Sequence, residues 1–231
     1  MRVIGVIGPK KSGKTTLICD ILKRLKEMNI NVATIKHSTH DVKVDREGTD
    51  SYKFKQCSNV SVIADNNKTA FFYDKMDLCD ILPKLNNNDF VIVEGFKEQL
   101  KELNIPKILM VKEDEGSELW DSQTVMVIKD YNYNIDEVME KVLEKSIVPT
   151  YNLNCGHCGY NCKIFVEKVV SGELKWNQCV ASSGVEMVVN GKTIPMNPFV
   201  SDIIKNTLKG IVGSLKGADN PKTISINIKD I

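Results

Sequence analysis

The sequence predicts an α/β fold in which helices flank a mostly parallel sheet, followed by a second, smaller α+β domain. An apolar, β-branched run at residues 2–7 leads through a glycine-containing loop into an amphipathic helix pattern, and further apolar runs alternate with helical patterns up to residue 145. Four cysteines crowd into residues 155–179 and mark the second part. We place the predicted boundary at residue 147, which gives domains 1–147 and 148–231.

The composition leaves room for two modest domains and excludes some partners. A chain of 231 residues can bury a usable core in each of them. The formal net charge is +1, from 31 basic and 30 acidic residues, so no basic excess indicates nucleic acid or a membrane surface as a partner. The apolar runs are too short to span a bilayer, and Met1 leads directly into a strand rather than into a signal peptide. We therefore expect a cytoplasmic protein.

The segment from Gly8 to Thr15 fits the pattern G-x-x-x-x-G-K-[ST], which is typical of a P-loop that cradles nucleotide phosphates. Its glycines let backbone N–H groups converge on a phosphate, Lys14 is expected to bridge the β- and γ-phosphates, and the Thr15 hydroxyl is expected to bind Mg²⁺. A simple glycine-containing turn is the alternative, but the strand before the loop and the helix after it favour a nucleotide site. The predicted phosphate-binding residues are Gly8, Pro9, Lys10, Lys11, Ser12, Gly13, Lys14, Thr15 and Thr16.

The remaining elements of the first domain follow from apolar periodicity and turn residues. A helix with an apolar stripe from Leu17 to Leu25 follows the loop, and Phe90–Glu94 is a buried strand that ends in an acid. The other predicted elements are strands at 31–36, 107–111 and 124–128, a hairpin of 59–64 with 69–73, and helices at 49–57, 77–85 and 135–145. The sequence therefore predicts a parallel sheet with one antiparallel element beside it.

Polar residues stand at the ends of two of these strands, where open α/β sheets bind ligands. Glu94 occupies the position of a carboxylate that coordinates a metal ion or orients water, although the strand could simply end in Glu-Gly. His37 and His40 are spaced so that they could bind a metal, but no third ligand accompanies them, and a solvated loop is the alternative. The N-K-x-D motif, which recognises the guanine base, is absent, so the sequence motifs do not distinguish a GTP site from an ATP site. Lys129-Asp130 is a candidate for base recognition, with surface charge as the alternative.

These motifs together resemble one family. The P-loop, K-H-x-x-H from Lys36 to His40, D-x-x-G-x-D-S from Asp45 to Ser51, and V-E-G-F-K from Val93 to Lys97 resemble the molybdopterin-guanine dinucleotide biosynthesis adapter family, MobB, over residues 1–147. The resemblance implies a homodimeric, GTP-binding and weakly hydrolysing adapter. It would assist a guanylyltransferase that joins GMP to molybdopterin, in its molybdenum or tungsten form.

The resemblance also implies roles for individual residues. Thr15 and Glu94 would serve the Mg²⁺ site, and Asp45 and Asp50 would lie near the γ-phosphate or the pterin phosphate. Lys14, Glu94 and Asp45 would be the catalytic residues, whereas His37 and Gly95 would belong with the residues that bind the nucleotide.

The four cysteines of the second domain form C-x2-C-x3-C-x16-C, made of Cys155, Cys158, Cys162 and Cys179. Four thiolates can ligate a [4Fe–4S] cluster or a tetrahedral Zn²⁺. The glycines after the first two cysteines favour iron–sulfur, because their N–H groups can turn toward cluster sulfurs, and only one C-x2-C pair is present. Zinc and unligated thiols are the alternatives. The surroundings resemble the small four-cysteine iron–sulfur domain of anaerobic electron-transfer and corrinoid proteins, with one residue fewer between the second and third cysteines.

The rest of the second domain is predicted to be folded. A hairpin of 185–189 with 192–194 turns at Asn190-Gly191, and a helix capped by Asn197 carries an apolar stripe from Val200 to Leu215. Residues 223–228 alternate as a final strand. The three scattered cysteines Cys19, Cys57 and Cys79 are expected to be small core residues.

The leading hypothesis is a GTP-binding adapter with slow GTPase activity. No strong base is evident, which agrees with low turnover and leaves open whether the protein is an enzyme in its own right. One alternative is a nucleoside-triphosphate-driven metallochaperone in which His37 and His40 carry the metal. The other is a redox-gated iron–sulfur protein whose nucleotide domain controls the cluster.

Overall fold

The structure is a computed structural model that describes residues 1–38, 45–113, 115–180, 184–185, 187–189, 192–194, 196, 198–218, 221 and 223–228. The strands are β1 (Arg2–Ile7), β2 (Val32–Lys36), β3 (Val60–Ala64), β4 (Thr69–Tyr73), β5 (Phe90–Glu94), β6 (Lys107–Val111), β7 (Thr124–Lys129), β8 (Met187–Val189) and β9 (Lys192–Ile194). The helices are α1 (Lys14–Glu27), α2 (Asp50–Cys57), α3 (Leu78–Ile81), α4 (Lys97–Glu102), α5 (Ile135–Lys145), α6 (Cys162–Ser171) and α7 (Pro198–Gly213).

A five-stranded sheet in the order β2-β5-β1-β6-β7 forms the centre, and all of its pairings are parallel. Its three central strands, β5, β1 and β6, are buried on both faces, whereas the edge strands β2 and β7 are partly exposed. Along β1, Ile4 and Val6 face one buried cluster, which includes the apolar stripe of α1, whereas Val3 and Ile7 face the other. The predicted α/β fold with a mostly parallel sheet is confirmed.

The helix α1 begins directly after Gly13 and packs its predicted stripe against this sheet. Leu17, Ile21 and Leu25 are fully buried. Its first turn carries no acidic side chain, while Arg24 and Lys26 lie in the last turn, where positive charge interacts favourably with the helix dipole. The amino terminus of the helix is therefore left positive, next to the glycine loop.

The predicted hairpin forms, but as a separate two-stranded sheet of β3 and β4 rather than as part of the central one. The Asp65 carboxylate closes its turn by accepting hydrogen bonds from the backbone N–H groups of Asn67 and Lys68. Val62 and Phe71 are directly paired across the strands, and both are largely exposed. The hairpin thus presents an uncovered apolar face.

The chain after α5 returns to the start of β1. Ile147 pairs with Val3 and joins Phe165, Val166 and Val169 in a third buried cluster. The guanidinium of Arg2 lies 4.7 Å from the centre of the Trp176 ring. These contacts link the cysteine-containing segment to β1, and the proposed boundary near Ile147 stays a prediction.

Several sequence-based expectations differ from the structure. Residues 223–228 are described without strand structure, so the predicted final strand is wrong; Ile226 and Ile228 alternate but are exposed. Cys19, Cys57 and Cys79 are exposed rather than buried. The helices α4 and α6 were not expected. His40, the turn Asn190-Gly191 and Asn197 lie outside the described residues. Among the described helices, none is both long and apolar enough to cross a membrane.

Candidate functional site

The loop between β1 and α1 lies at the carboxyl edge of the central sheet, and its two glycines are closely packed. A Cβ atom on Gly8 would lie 2.3 Å from the carbonyl oxygen of Met110, and one on Gly13 would lie 2.2 Å from the Tyr131 ring. Gly13 has φ 81°, a left-handed conformation that favours glycine. Gly8 has φ 152°, which L side chains also rarely adopt, so both glycines are required by space and by backbone geometry.

The Lys14 side chain curls back over this loop. Its ammonium group donates hydrogen bonds to the carbonyl oxygens of Gly8, at 3.2 Å, and Pro9, at 2.5 Å, and lies 3.5 Å from the Ser12 hydroxyl. The pKa of Lys14 is lowered, mainly because the side chain is partly buried. The charge of Glu94 partly opposes this shift, and the charges of Lys97 and Lys36 add to it. A concentrated positive potential at a helix amino terminus is suited to binding an anion.

Glu94, Thr15 and Lys36 meet beside the loop. Within the sheet Glu94 is in register with Lys36 of β2 and Val6 of β1. Its carboxylate accepts hydrogen bonds from the Lys36 ammonium, at 3.0 and 3.1 Å, and from the Thr15 hydroxyl, at 3.4 Å. A hydroxyl and a carboxylate are oxygen donors of the kind that Mg²⁺ prefers, so these residues fit the predicted metal site.

Lys36 and Lys97 were not predicted as site residues. Lys36 ends β2, and Lys97 follows the strand that carries Glu94, so both stand at the edge where the other strand ends converge. A signal was present in the sequence, since both lysines belong to the K-H-x-x-H and V-E-G-F-K motifs.

His37 and Gly95 extend the backbone hydrogen bonding of the sheet beyond the ends of its strands. The backbone N–H of His37 donates to the Glu94 carbonyl at 2.9 Å, and that of Gly95 donates to the Val6 carbonyl at 3.1 Å. The His37 ring lies 4.4 Å from the Phe96 ring, centre to centre. His37 is thus held by an aromatic contact next to Glu94.

The two aspartates take part in a separate hydrogen-bond group at the start of α2. Asp45 accepts from the Ser51 hydroxyl at 2.9 Å, and its other carboxylate oxygen is buried with no partner among the described residues. Asp50 is largely exposed and pairs with Lys53. Among the described residues their hydrogen bonds stay within residues 45–53, so the structure does not join them to Lys14 or Glu94.

The segment after β7 closes over the P-loop. The Tyr131 hydroxyl donates to the carbonyl oxygen of Lys11, and its ring packs on Gly13. Asp130 accepts a hydrogen bond from the Glu113 N–H at 2.7 Å, so this base-recognition candidate also holds the neighbouring loop. The expected phosphate-binding residues Lys10 and Thr16 lie in the same loop and first helical turn, where Thr16 is exposed.

The four cysteines line one small pocket, together with Tyr160, Phe165 and Val180. Cys162 is placed by the start of α6, where Asn161 accepts a hydrogen bond from the Ile164 N–H, and its sulfur accepts one from the Asn154 N–H at 3.3 Å. None of these four cysteines forms a disulfide, and no three His, Cys, Asp or Glu side chains of the described residues are arranged to hold a metal ion.

This pocket fits an iron–sulfur cluster by its chemistry rather than by its present size. Four sulfur donors and a backbone N–H aimed at one of them are the groups such a cluster uses. The cavity between the four cysteines measures about 10 Å³. Cys162 lies at the first position of α6 and is buried, whereas Cys155 is exposed.

Comparison with known proteins gives consistent results. A family model described as MobB, molybdopterin guanine dinucleotide synthesis protein B, matches residues 3–130. A protein of Methanocaldococcus jannaschii named "Putative molybdopterin-guanine dinucleotide biosynthesis adapter protein" is 55% identical over 99% of this chain and 97% of its own length. The molybdopterin-guanine dinucleotide biosynthesis adapter protein of Haemophilus influenzae is 33% identical over 59% of this chain and 79% of its own length.

A solved structure and a second family model complete the comparison. A crystal structure of molybdopterin-guanine biosynthesis protein B (mobB) is 26% identical, covers 61% of this chain and 97% of its own, and has a TM-score of 0.47. A family model described as "Putative Fe-S cluster" matches residues 152–181, the segment that contains all four clustered cysteines.

Proposed function

Because the chain belongs to the family of molybdopterin guanine dinucleotide synthesis protein B, MobB, we propose that it is a GTP-binding adapter in the biosynthesis of molybdopterin-guanine dinucleotide. In this role it assists a guanylyltransferase that joins GMP to molybdopterin or to its molybdenum or tungsten form. The observation that carries the proposal is the convergence of Lys14, Thr15 and Glu94 beside an enclosed P-loop, in a chain that is 55% identical to a named adapter over almost its full length.

In the proposed complex the triphosphate lies over Gly8–Thr16, with the amino terminus of α1 and the backbone N–H groups facing its oxygens. The Lys14 ammonium leaves the carbonyl groups of Gly8 and Pro9 and neutralises the β- and γ-phosphates. Thr15 and Glu94 hold Mg²⁺, which supplies positive charge to the terminal phosphates. Asp45 and Asp50 are proposed to lie near the γ-phosphate or the pterin phosphate, and His37 and Gly95 are proposed to belong with the residues that bind the nucleotide.

Hydrolysis is proposed to be slow. The groups aimed at the phosphates are cations and N–H donors, which stabilise developing charge, while a water molecule must act as nucleophile. Glu94 is proposed to hold Mg²⁺ together with Thr15, which leaves its carboxylate poorly placed to accept a proton. Nucleotide state is therefore better suited to controlling association with a partner than to rapid turnover.

The cysteine pocket is proposed to bind a [4Fe–4S] cluster through Cys155, Cys158, Cys162 and Cys179. The family match at residues 152–181 supports iron–sulfur over the alternative zinc. A bound cluster would supply one-electron redox chemistry. Its effect can reach β1 through Trp176, which lies three residues before Cys179 and against the Arg2 guanidinium.

A homodimer is also proposed. The support is the uncovered apolar face of the β3–β4 hairpin, where Val62 and Phe71 are 49% and 60% exposed. A second copy that covers this face would remove apolar surface from water on both chains at once, as expected of a two-fold interface.

The adapter role is tested by association with the purified guanylyltransferase of molybdopterin-guanine dinucleotide synthesis. Immobilised protein is expected to retain the enzyme more strongly with Mg²⁺ and GTP than without nucleotide. Lys14→Ala should lose this dependence, whereas Lys23→Ala, which removes an exposed lysine paired with Asp20, should keep it. No retention of the enzyme by the unaltered chain in the presence of GTP contradicts the adapter role.

A further inference from the structure

The ammonium group of Lys36 lies where a metal ion held by Thr15 and Glu94 would be expected. It is 3.0 and 3.1 Å from the two Glu94 carboxylate oxygens and 3.5 Å from the Thr15 hydroxyl oxygen. The lysine therefore contacts both of the side chains that are proposed to hold Mg²⁺. The arrangement is one cation surrounded by three oxygen atoms.

The burial of the two partners is unequal. The Glu94 side chain is 14% exposed, so its carboxylate has lost most of its contact with water and requires a nearby cation. The Lys36 side chain is 62% exposed and can swing away on its flexible stem without opening the core. The carboxylate is thus the fixed partner and the lysine the movable one.

The surrounding charges make joint occupancy unfavourable. Lys14 lies within electrostatic range of Glu94, and Lys36 and Lys97 both lie within electrostatic range of Lys14. A divalent cation that entered while Lys36 stayed in place would therefore meet further ammonium groups beside a single carboxylate. The nucleotide phosphates offset part of this positive charge. The Glu94 carboxylate, however, cannot bind Lys36 and Mg²⁺ in the same position, so one cation must leave.

Resting on the proposed Mg²⁺–nucleotide site, we propose that Lys36 is a positioning residue that occupies the cation position between Glu94 and Thr15 in the metal-free protein and is displaced when Mg²⁺ binds with the nucleotide. In the metal-free state Lys36 neutralises Glu94, so that the carboxylate does not repel the incoming phosphates. When Mg²⁺ binds, the Lys36–Glu94 ion pair is broken, and the free energy of metal binding must offset the loss of that ion pair. Lys36 thereby weakens the dependence of nucleotide affinity on Mg²⁺.

The test measures the dissociation constant of a fluorescent GDP analogue with saturating Mg²⁺ and with EDTA. The ratio of the EDTA value to the Mg²⁺ value gives the coupling between metal and nucleotide. Lys36→Met is expected to raise this ratio by about fivefold, because an ion pair with an exposed lysine is worth up to about 1 kcal/mol and 1.4 kcal/mol corresponds to tenfold. Lys36→Arg should keep the ratio near that of the unaltered chain, and Lys36→Gln repeats the measurement should the methionine variant fail to fold.

Two further variants separate this role from a structural one. Glu94→Gln should bring the ratio toward one, and Lys36→Met added to Glu94→Gln should leave it there, because the competition needs the carboxylate. Lys23→Met, at an exposed ion pair of α1, should change nothing. A structural lysine would weaken binding equally in Mg²⁺ and in EDTA.

The outcomes are distinct. An unchanged or smaller ratio in Lys36→Met and Lys36→Gln, with nucleotide still bound, overturns the role of Lys36 and leaves the nucleotide site standing. Absence of nucleotide binding by the unaltered chain under both conditions overturns the proposed nucleotide site and the role of Lys36 together.

Discussion

Replacing Gly8 by alanine should damage the P-loop more than replacing Gly13, and the reason is what each new methyl group would meet. At Gly8 the added carbon lies 2.3 Å from the Met110 carbonyl oxygen and 2.8 Å from the Ser12 hydroxyl oxygen. Met110 belongs to β6, which is hydrogen-bonded to strands on both sides and cannot retreat. At Gly13 the obstacle is the Tyr131 ring, which is 49% exposed and can rotate away.

The magnitudes follow from these contacts. Gly13→Ala should cost about 1–2 kcal/mol for a left-handed alanine, and about 1 kcal/mol more for the hydrogen bond that Tyr131 gives up to Lys11. Gly8→Ala should cost more than about 3 kcal/mol, because a buried strand must shift or the loop must leave its place. In a Tyr131→Ala background the cost of Gly13→Ala should fall by about 1 kcal/mol, while that of Gly8→Ala should stay the same.

Urea unfolding of the three single and two double variants, followed by circular dichroism, measures these free energies. Equal costs for the two glycine substitutions would contradict the reasoning. An equal reduction of both costs by Tyr131→Ala would also contradict it, because of the two glycines only Gly13 lies against the Tyr131 ring.

Three other predictions concern the core, the cysteine pocket and the hairpin. Asp121→Asn should destabilise the fold by about 3 kcal/mol in urea unfolding, because the buried Lys107 ammonium loses the carboxylate 2.6 Å away. Burial lowers the pKa of Lys107, so the folded state binds fewer protons than the unfolded chain between the lowered and the ordinary pKa, and the free energy of unfolding rises with pH there. The loss caused by Asp121→Asn should therefore shrink as the pH approaches the ordinary lysine pKa. Cys179→Ser should lower the iron content after anaerobic purification, measured by metal analysis and visible absorbance, and a colourless unaltered protein with stoichiometric zinc would contradict the iron–sulfur assignment. Phe71→Glu should shift the proposed dimer toward monomer in light scattering, and a dimeric mass unchanged by this substitution would exclude the hairpin as the interface.

The sequence predicts well what depends on local pattern. The continuous apolar run of β1 indicates a strand buried on both faces, and the glycine loop followed by the Leu17–Leu25 stripe indicates the strand, loop and helix that the structure contains. Asp65 and its Asn neighbours predict the hairpin turn. Each of these signals lies within about one element, where periodicity and turn chemistry decide the conformation.

The parts that escape prediction depend on long-range pairing. Lys36 contacts Glu94 only because β2 lies beside β5, and no local pattern gives that strand order. Tyr131 reaches Lys11 from 120 residues away. The helix α4 spans only six residues and buries one of them, Leu100, so its periodic signal is too short to detect. Residues 223–228 show the converse, since their alternation has no strand to pair with among the described residues.

The most direct test of the nucleotide site is calorimetric titration of the full chain with GTP in the presence of Mg²⁺. We expect saturable binding of one nucleotide per chain, lost or weakened at least about a hundredfold in Lys14→Ala, because the ammonium would make at least two charge-assisted contacts worth about 1.5–3 kcal/mol each. Lys23→Ala should bind as the unaltered chain does. Equal GTP affinity in Lys14→Ala and the unaltered chain would contradict the assignment of the loop from Gly8 to Thr16 as the nucleotide site.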